Sequence, residues 1–273
     1  MQHQGNLRKM VVIHKSPVNY QLVVGNDKIP LNQYIGKKVL FEHTGDIHCI
    51  ACGRKTTKSF SQGYCYPCMR SLARCDSCII KPEQCHYDAG TCREPDWAED
   101  NCLQPHYVYL ANSSGPKVGI TRGSQIPTRW IDQGAVAALP ILKVEKRLLA
   151  GLAEVAIKEN VSDRTDWRRM LKGDPDPIAL DDLRNELLSA SGKAIDKIRK
   201  EYGEASVVEL DEAPVAIEYP VDTYPTKVSS LNFDKTPEVS GTLQGIKGQY
   251  LILDTGVINI RKFGGYHVRL TLP

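Results

Sequence analysis

Short apolar runs separated by turn-forming residues dominate both ends of the chain. Near the N-terminus, the runs 11–13, 20–24 and 38–41 are separated by Ser-Pro, Gly-Asn-Asp and Gly. Runs of this length that are rich in β-branched and aromatic residues are typical of β-strands. Residues 239–260 alternate apolar and polar side chains around glycine-containing turns, which indicates strands with one buried face. We therefore expect a small antiparallel β unit at the start of the chain and a small barrel or half-barrel at its end.

The middle of the chain contains a predicted hairpin and two predicted helices. Residues 107–111 and 117–121 are apolar runs on either side of an Asn-Ser-Ser-Gly-Pro cluster, which favours a β-hairpin. Over residues 144–160, apolar side chains recur at helical spacing. A second helical pattern extends over residues 180–202 and ends at Gly203. The Gly-Asp-Pro-Asp-Pro sequence between the two helices marks a break in the structure.

These patterns predict an α+β protein. Its composition is ordinary for a globular protein, with 41% hydrophobic and 25% charged residues, and 273 residues can hold two or three domains. The predicted segments are an N-terminal β unit (1–48), a zinc-ribbon-like, cysteine-rich metal-binding module (49–104), a small central α/β domain (105–175), a helical connector (176–217) and a C-terminal β-rich, barrel-like unit (218–273).

The chain carries no sign of a membrane segment. No apolar run approaches the roughly 20 residues of a membrane helix. The first residues have neither a long apolar core nor a small-residue cleavage site, so we expect no signal peptide and a cytoplasmic location. The nine cysteines then belong to a reducing compartment, where metal binding is favoured over disulfides.

The charge pattern limits where a nucleic-acid surface could lie. The net charge of +3 is too small to indicate a polyanionic partner by itself. Residues 176–222 are acidic, so a nucleic-acid surface would lie on the first two thirds of the chain or on its C-terminal end. The alternative is an ordinary scatter of solvated charges. The oligomeric state is not indicated.

Two Cys-x-x-Cys pairs, Cys49 with Cys52 and Cys65 with Cys68, predict a zinc site. Each Cys-x-x-Cys turn directs two sulfurs at one point, and two such turns about a dozen residues apart complete a tetrahedral site. Four protein ligands leave no open position on the metal, so the predicted role is structural. The alternative is four free thiols. The segment between the pairs is basic and could contact phosphate or be a solvated loop; its candidate residues are Arg54, Lys55 and Lys58.

A second cysteine cluster follows the first. Its residues exceed the four ligands that one zinc ion needs, so several arrangements remain open. We expect a second structural metal held by Cys85, Cys92 and Cys102 with either Cys75 or Cys78. Four thiolates could instead hold an iron–sulfur cluster, and one or two of the cysteines could be buried and inert. The cluster comprises Cys75, Cys78, Cys85, His86, Cys92 and Cys102.

The centre of the chain resembles the GIY-YIG nuclease superfamily over about residues 106–172. The sequence Tyr-Val-Tyr at 107–109 corresponds to the first motif and Lys-Val-Gly at 117–119 to the second. The resemblance implies that Arg129 is the conserved arginine and that Glu154 holds a single Mg²⁺ ion. The glycine of the first motif is replaced by tyrosine and the tyrosine of the second by lysine, so the centre is a degenerate version of the motif. The chain as a whole also resembles an uncharacterised bacterial family with a cysteine-rich front half.

The resemblance implies a catalytic role for Tyr109, Lys117, Arg129 and Glu154. Tyr109 would help to activate water, and Lys117 would lower its pKa or act itself. Arg129 offers a planar fork for phosphate oxygens, and Glu154 would bind the Mg²⁺ that polarises the phosphate.

Each of these residues also has an ordinary structural explanation. The tyrosines could be strand aromatics. Arg129 could pair with Asp132, and Glu154 with Lys158. Glu145 is an alternative metal ligand nearer the solvent.

Two further basic segments beside aromatic residues are candidates for nucleic-acid contacts. Arg168 and Arg169 follow a tryptophan, and Arg261 and Lys262 precede a phenylalanine. Three functions therefore stay open. The first is a zinc-stabilised protein that binds DNA or RNA, with the degenerate centre binding phosphates. The second is a Mg²⁺-dependent endonuclease, and the third is a metal-stapled interaction protein without nucleic acid.

Overall fold

The computed structural model describes residues 1–273 and contains two antiparallel sheets and a few helices, which confirms the α+β class. The strands are β1 (Gln2–Ile13), β2 (Asn19–Val24), β3 (Asp27–Pro30), β4 (Lys38–His48), β5 (Lys55–Thr56), β6 (His106–Asn112), β7 (Pro116–Arg122), β8 (Ala137–Val144), β9 (Val207–Glu209), β10 (Val215–Ala216), β11 (Glu238–Lys247), β12 (Tyr250–Leu253), β13 (Gly256–Asn259) and β14 (Tyr266–Thr271). The helices are α1 (Tyr66–Ser71), α2 (Pro95–Asn101), α3 (Thr128–Asp132), α4 (Arg147–Ile157), α5 (Trp167–Met170) and α6 (Leu180–Tyr202).

The larger sheet has nine strands and joins the two ends of the chain. Its order is β13-β12-β11-β4-β14-β1-β2-β3, with β5 paired to β4. Gly5 of β1 pairs with Val268 of β14, and Phe41 of β4 pairs with Val239 of β11. The β-rich ends, predicted as two units, therefore share one sheet. No pairing joins β13 to β3, so the strand order is that of an open sheet.

The smaller sheet contains the predicted hairpin. Its order is β10-β8-β6-β7, with β9 also paired to β8, and β7 is an edge strand. In the hairpin, Tyr109 pairs with Gly119 and Ala111 with Lys117. Strands β9 and β10 lie within the segment predicted as a helical connector, so that segment completes this sheet as well as forming α6.

Alternate side chains of β6 pack into two different hydrophobic cores. Tyr109 and Ala111 pack with residues of the larger sheet, whereas Val108 and Leu110 pack with α4 and α6. Successive side chains of a strand point to opposite faces, so one hairpin can serve both cores.

The two predicted helices are present. The helix expected over 144–160 is α4, with its start shortened because β8 extends to Val144. Helix α6 has the expected bounds and ends at Gly203, whose φ of 102° suits glycine. No helix has the length and apolar character needed to cross a membrane.

Candidate functional site

The first four cysteines converge on one point. The Sγ atoms of Cys49, Cys52, Cys65 and Cys68 all lie within 4.8 Å of one another. Burial raises the pKa of the Cys49 thiol, but backbone N–H groups outweigh this effect and lower the pKa to about 6. A lowered pKa favours the thiolate, which is the form that ligates metals. This cluster could hold a metal ion, as its spacing predicts.

The second group of cysteines surrounds a small enclosed cavity of about 20 Å³. Its four cysteine side chains are Cys78, Cys85, Cys92 and Cys102. Cys75 does not line this cavity and faces the cleft described next. The lining of the cavity thus favours Cys78 over Cys75 in the expected ligand set, although these four sulfurs do not all lie within 4.8 Å of one another as those of the first cluster do. Nearby, the ligand atoms of Asp76, Cys78 and His86 also lie within 4.8 Å of one another, but the Asp76 carboxylate already pairs with Arg93 at 2.7 Å.

A polar cleft of about 620 Å³ lies where the edge strand β7 meets the cysteine-rich region and the larger sheet. Segments that are far apart in the sequence form its walls. One wall is the loop Ser61–Gln62, between the two Cys-x-x-Cys pairs, in which both residues have positive φ angles of 45° and 67°. This sparsely populated backbone conformation at the cleft wall is the kind of local strain that often accompanies functional sites.

Positive charge dominates the cleft. Six of its seven basic side chains have no carboxylate oxygen within 4.0 Å; only Lys9 is paired, with Asp132. Burial lowers the pKa of Lys117, Arg147 and Arg261, which means that the protein holds these cations at a desolvation cost. A bound anion would offset that cost. The basic residues are Lys9, Arg74, Lys117, Arg122, Arg129, Arg147 and Arg261, and the acidic ones are Asp76, Asp132, Glu154 and Asp163.

Tyr109 is fully buried and does not itself line the cleft. Its hydroxyl donates a hydrogen bond to Oε1 of Gln133 at 2.9 Å. A Cβ atom at Gly119 would lie 2.7 Å from this hydroxyl, so the glycine of the second motif makes room for the tyrosine of the first. Burial raises the pKa of Tyr109, although neighbouring Arg129 opposes the shift. Tyr109 is therefore neutral and held behind the cleft wall.

Lys117 lines the cleft and is buried to 5% exposure. Its Nζ donates a hydrogen bond to Oγ1 of Thr165 at 3.3 Å. Burial and the nearby Arg129 lower its pKa to about 8, against the opposing effect of Glu154 and Asp163. This lysine can therefore exchange its proton near neutral pH.

Arg129 and Glu154 line the same cleft from helices α3 and α4. Neither forms the ion pair that the sequence suggests as its structural role. Asp132 pairs with Lys9 instead of Arg129, and no ion pair within 4.0 Å joins Glu154 to Lys158. Burial raises the pKa of the Glu154 carboxyl, and Asp163 adds to the effect. The alternative ligand Glu145 is exposed and lies outside the cleft.

Of the predicted nucleic-acid contacts, only Arg261 lies in the cleft. Lys55 pairs with Asp46 at 2.6 Å, and the Arg168 guanidinium packs 4.3 Å from the ring centre of Trp167. The predicted residues that lie outside the cleft are Arg54, Lys55, Lys58, Arg168, Arg169 and Lys262.

Sequence reasoning missed four cleft arginines and lysines: Lys9, Arg74, Arg122 and Arg147. For one of them, Arg147, the spacing in the sequence could have indicated its position. Arg147 precedes Glu154 by seven residues in α4, which is two helical turns, so both occupy the same helix face. Its Nε–H is buried without a hydrogen-bond acceptor.

A family model described as a protein of unknown function, DUF2797, matches residues 36–268. The chain belongs to DUF2797. The expected likeness to an uncharacterised family is thereby confirmed, whereas the likeness to the GIY-YIG superfamily stays a prediction. No curated protein and no solved structure matches the chain. The part of this DUF2797 protein that the family model matches contains both cysteine clusters and every charged cleft residue except Lys9.

Proposed function

We propose that the cleft of this DUF2797 protein binds phosphate groups in the backbone of a nucleic acid. The observation that carries the proposal is the convergence of six cations without carboxylate partners on one cleft. Such a surplus of positive charge in a concave site attracts and concentrates polyanions.

The chemistry of the cleft suits phosphate oxygens. Arginine guanidinium groups form bidentate, charge-assisted hydrogen bonds with phosphate. Arg129, Arg147 and Arg261 offer such groups from three separate elements. They are partly buried, where the screening by water is weaker and each charge acts more strongly than it would on an open surface.

In this proposal the cysteine clusters are structural supports of the cleft. Zinc held by Cys49, Cys52, Cys65 and Cys68 would fix the loop Ser61–Gln62 that forms one wall. A second zinc at Cys78, Cys85, Cys92 and Cys102 would fix the segment that contributes Arg74 to the cleft. Four thiolates are a donor set that suits zinc and leave no position for a substrate.

The pH dependence of binding tests the role of Lys117. The Lys117 amine attracts phosphate only when it is protonated. Its pKa of about 8 lies inside the pH range over which binding can be measured. We therefore expect the affinity for a single-stranded oligonucleotide to fall, by about tenfold at most, as the pH rises from about 7 to about 9. Fluorescence anisotropy would measure the affinity.

Two variants serve as controls for that experiment. Lys117→Arg keeps its charge throughout this pH range and should show no loss, whereas Lys117→Met should bind more weakly at both pH values. A wild-type affinity that does not change with pH, or a Lys117→Met affinity equal to that of the wild type, would contradict the assignment.

A second candidate function is Mg²⁺-dependent hydrolysis of the phosphodiester bond. The observation that favours it is the presence of Glu154, without an ion-pair partner, in the same cleft as Lys117 and Arg129. A carboxylate oxygen suits Mg²⁺, which would polarise the phosphate. Neutral Lys117 could accept a proton from water, so the cleavage rate should rise through about pH 8, opposite to the binding trend. Cut strands after incubation with Mg²⁺ would indicate hydrolysis. Intact strands would show that the cleft binds the nucleic acid without cleaving it.

A further inference from the structure

A second groove of about 510 Å³ adjoins the cleft. Arg122, the last residue of β7, lines both the cleft and this groove. The guanidinium of Arg122 donates a hydrogen bond to Oδ1 of Asn101, which fixes the side chain at the junction. A polymer bound in the cleft can therefore continue into the groove past a positioned cation.

Tyr107 and Lys143 both line the groove. They are cross-strand neighbours in β6 and β8, so their side chains occupy the same face of the sheet. Tyr107 is half-buried, and Lys143 is exposed without an ion-pair partner. Gly123 lies against the tyrosine ring, where a Cβ atom would come within 3.0 Å of Cε2. The absence of a side chain at this position lets the backbone pack closely against the ring.

The groove thus combines an aromatic ring with two cations, Arg122 and Lys143, against one acidic side chain, Asp100. Proteins that bind single strands use this combination, because cations follow the backbone while bases stack on aromatic rings. Stacking requires a base that is not paired in a duplex.

We propose that the groove is a second subsite for a single-stranded nucleic acid, in which a base stacks on Tyr107 and a phosphate contacts Lys143. The inference deepens the proposed function and rests on it, since the strand reaches the groove from the cleft through Arg122. The substrate class is then a single strand that is longer than the cleft itself.

The test compares oligonucleotides of two lengths. A fluorescein-labelled trinucleotide occupies the cleft alone, whereas a strand of about 12 nucleotides also covers the groove. We expect Tyr107→Ala to weaken binding of the longer strand by about tenfold, the effect of one lost stacking contact, and to leave the trinucleotide affinity unchanged. Lys143→Ala should reduce the salt dependence of the longer strand by about 0.7 in the slope of log K against log salt concentration. Affinities measured with both DNA and RNA versions of each strand show which of the two nucleic acids the subsite binds more tightly.

Matched variants separate the subsite from nonspecific effects. Tyr107→Phe keeps the ring and should bind the longer strand like the wild type. Lys28→Ala removes an exposed lysine from β3, at an edge of the larger sheet, and should change neither affinity. If the wild type binds the longer strand but Tyr107→Ala and Lys143→Ala bind it equally well, the subsite is refuted and the proposed function stands. If the wild type binds neither strand, both fail.

Discussion

The Cys52→Ser variant is expected to lose one bound metal ion and to be destabilised by roughly 4 kcal/mol or more, the range in which loss of a structural metal falls. Cys52 is exposed, so its replacement leaves no cavity in the core and the loss of stability reports on the metal. Elemental analysis of untagged protein purified without oxygen would give the metal content, and urea denaturation would give the free energy of unfolding. An absorption spectrum of the same sample would distinguish colourless zinc from an iron–sulfur cluster.

The matched control for this experiment is Cys75→Ser. Cys75 belongs neither to the converging cluster of the first four cysteines nor to the four cysteines that line the small cavity, and it lines the cleft. Its replacement should leave the metal content and the free energy of unfolding close to those of the wild type. Full metal retention in Cys52→Ser would show that the ligand set Cys49, Cys52, Cys65 and Cys68 is wrong.

Replacement of Arg129 by alanine should weaken oligonucleotide binding by about tenfold to about hundredfold, the worth of a charge-assisted hydrogen bond. The fold should stay intact, because Arg129 forms no ion pair within 4.0 Å. If the wild type cleaves its substrate, the variant should lose about 10² to 10³ in rate, as expected when a donor to the transition-state charge is removed.

A second consequence follows from the position of Arg129. This guanidinium helps to lower the pKa of Lys117, so its removal should move the pH profile of binding towards higher pH. Arg129→Lys, which keeps a charge but loses the planar fork, should recover part of the affinity. Arg169→Ala removes a predicted nucleic-acid contact that lies outside the cleft and should have no effect. If the Arg129→Ala variant had the affinity and pH profile of the wild type, Arg129 would not contribute to binding.

Local patterns in the sequence predicted the elements that local physics determines. The helix α6, the hairpin of β6 and β7, and the convergence of the first four cysteines all depend on spacing within a short stretch. In each case periodicity, turn residues or ligand spacing suffices, because the residues that must meet are close in the chain.

Pairing between distant strands was not predictable in the same way. The alternation in β1 and β14 indicates that each has a buried face, but nothing in either pattern names the other as its partner. Strand partners are chosen by side-chain packing over the whole sheet. The sequence therefore indicated two β-rich ends, and only the structure shows that they form one sheet.

The cleft contains residues that a local sequence pattern identifies and residues that only the tertiary fold brings together. Lys117, Arg129 and Glu154 were identified because a motif resemblance links them within one segment. Arg74 and Lys9 reach the cleft from other parts of the chain, and no local signal marks them. The positive φ angles of Ser61 and Gln62, which orient one wall, likewise depend on the tertiary fold.

The measurement that tests the central claim most directly is the salt dependence of oligonucleotide binding by the wild-type protein. Each phosphate that a cation neutralises contributes about −0.7 to the slope of log K against log salt concentration for a single strand. With three or more contacts in the cleft, the affinity for a strand of about 12 nucleotides should fall roughly tenfold or more between about 50 mM and about 200 mM salt. A measurable affinity that stays constant over this range, or no binding at all, would contradict a phosphate-binding cleft and favour a metal-stapled interaction protein without nucleic acid.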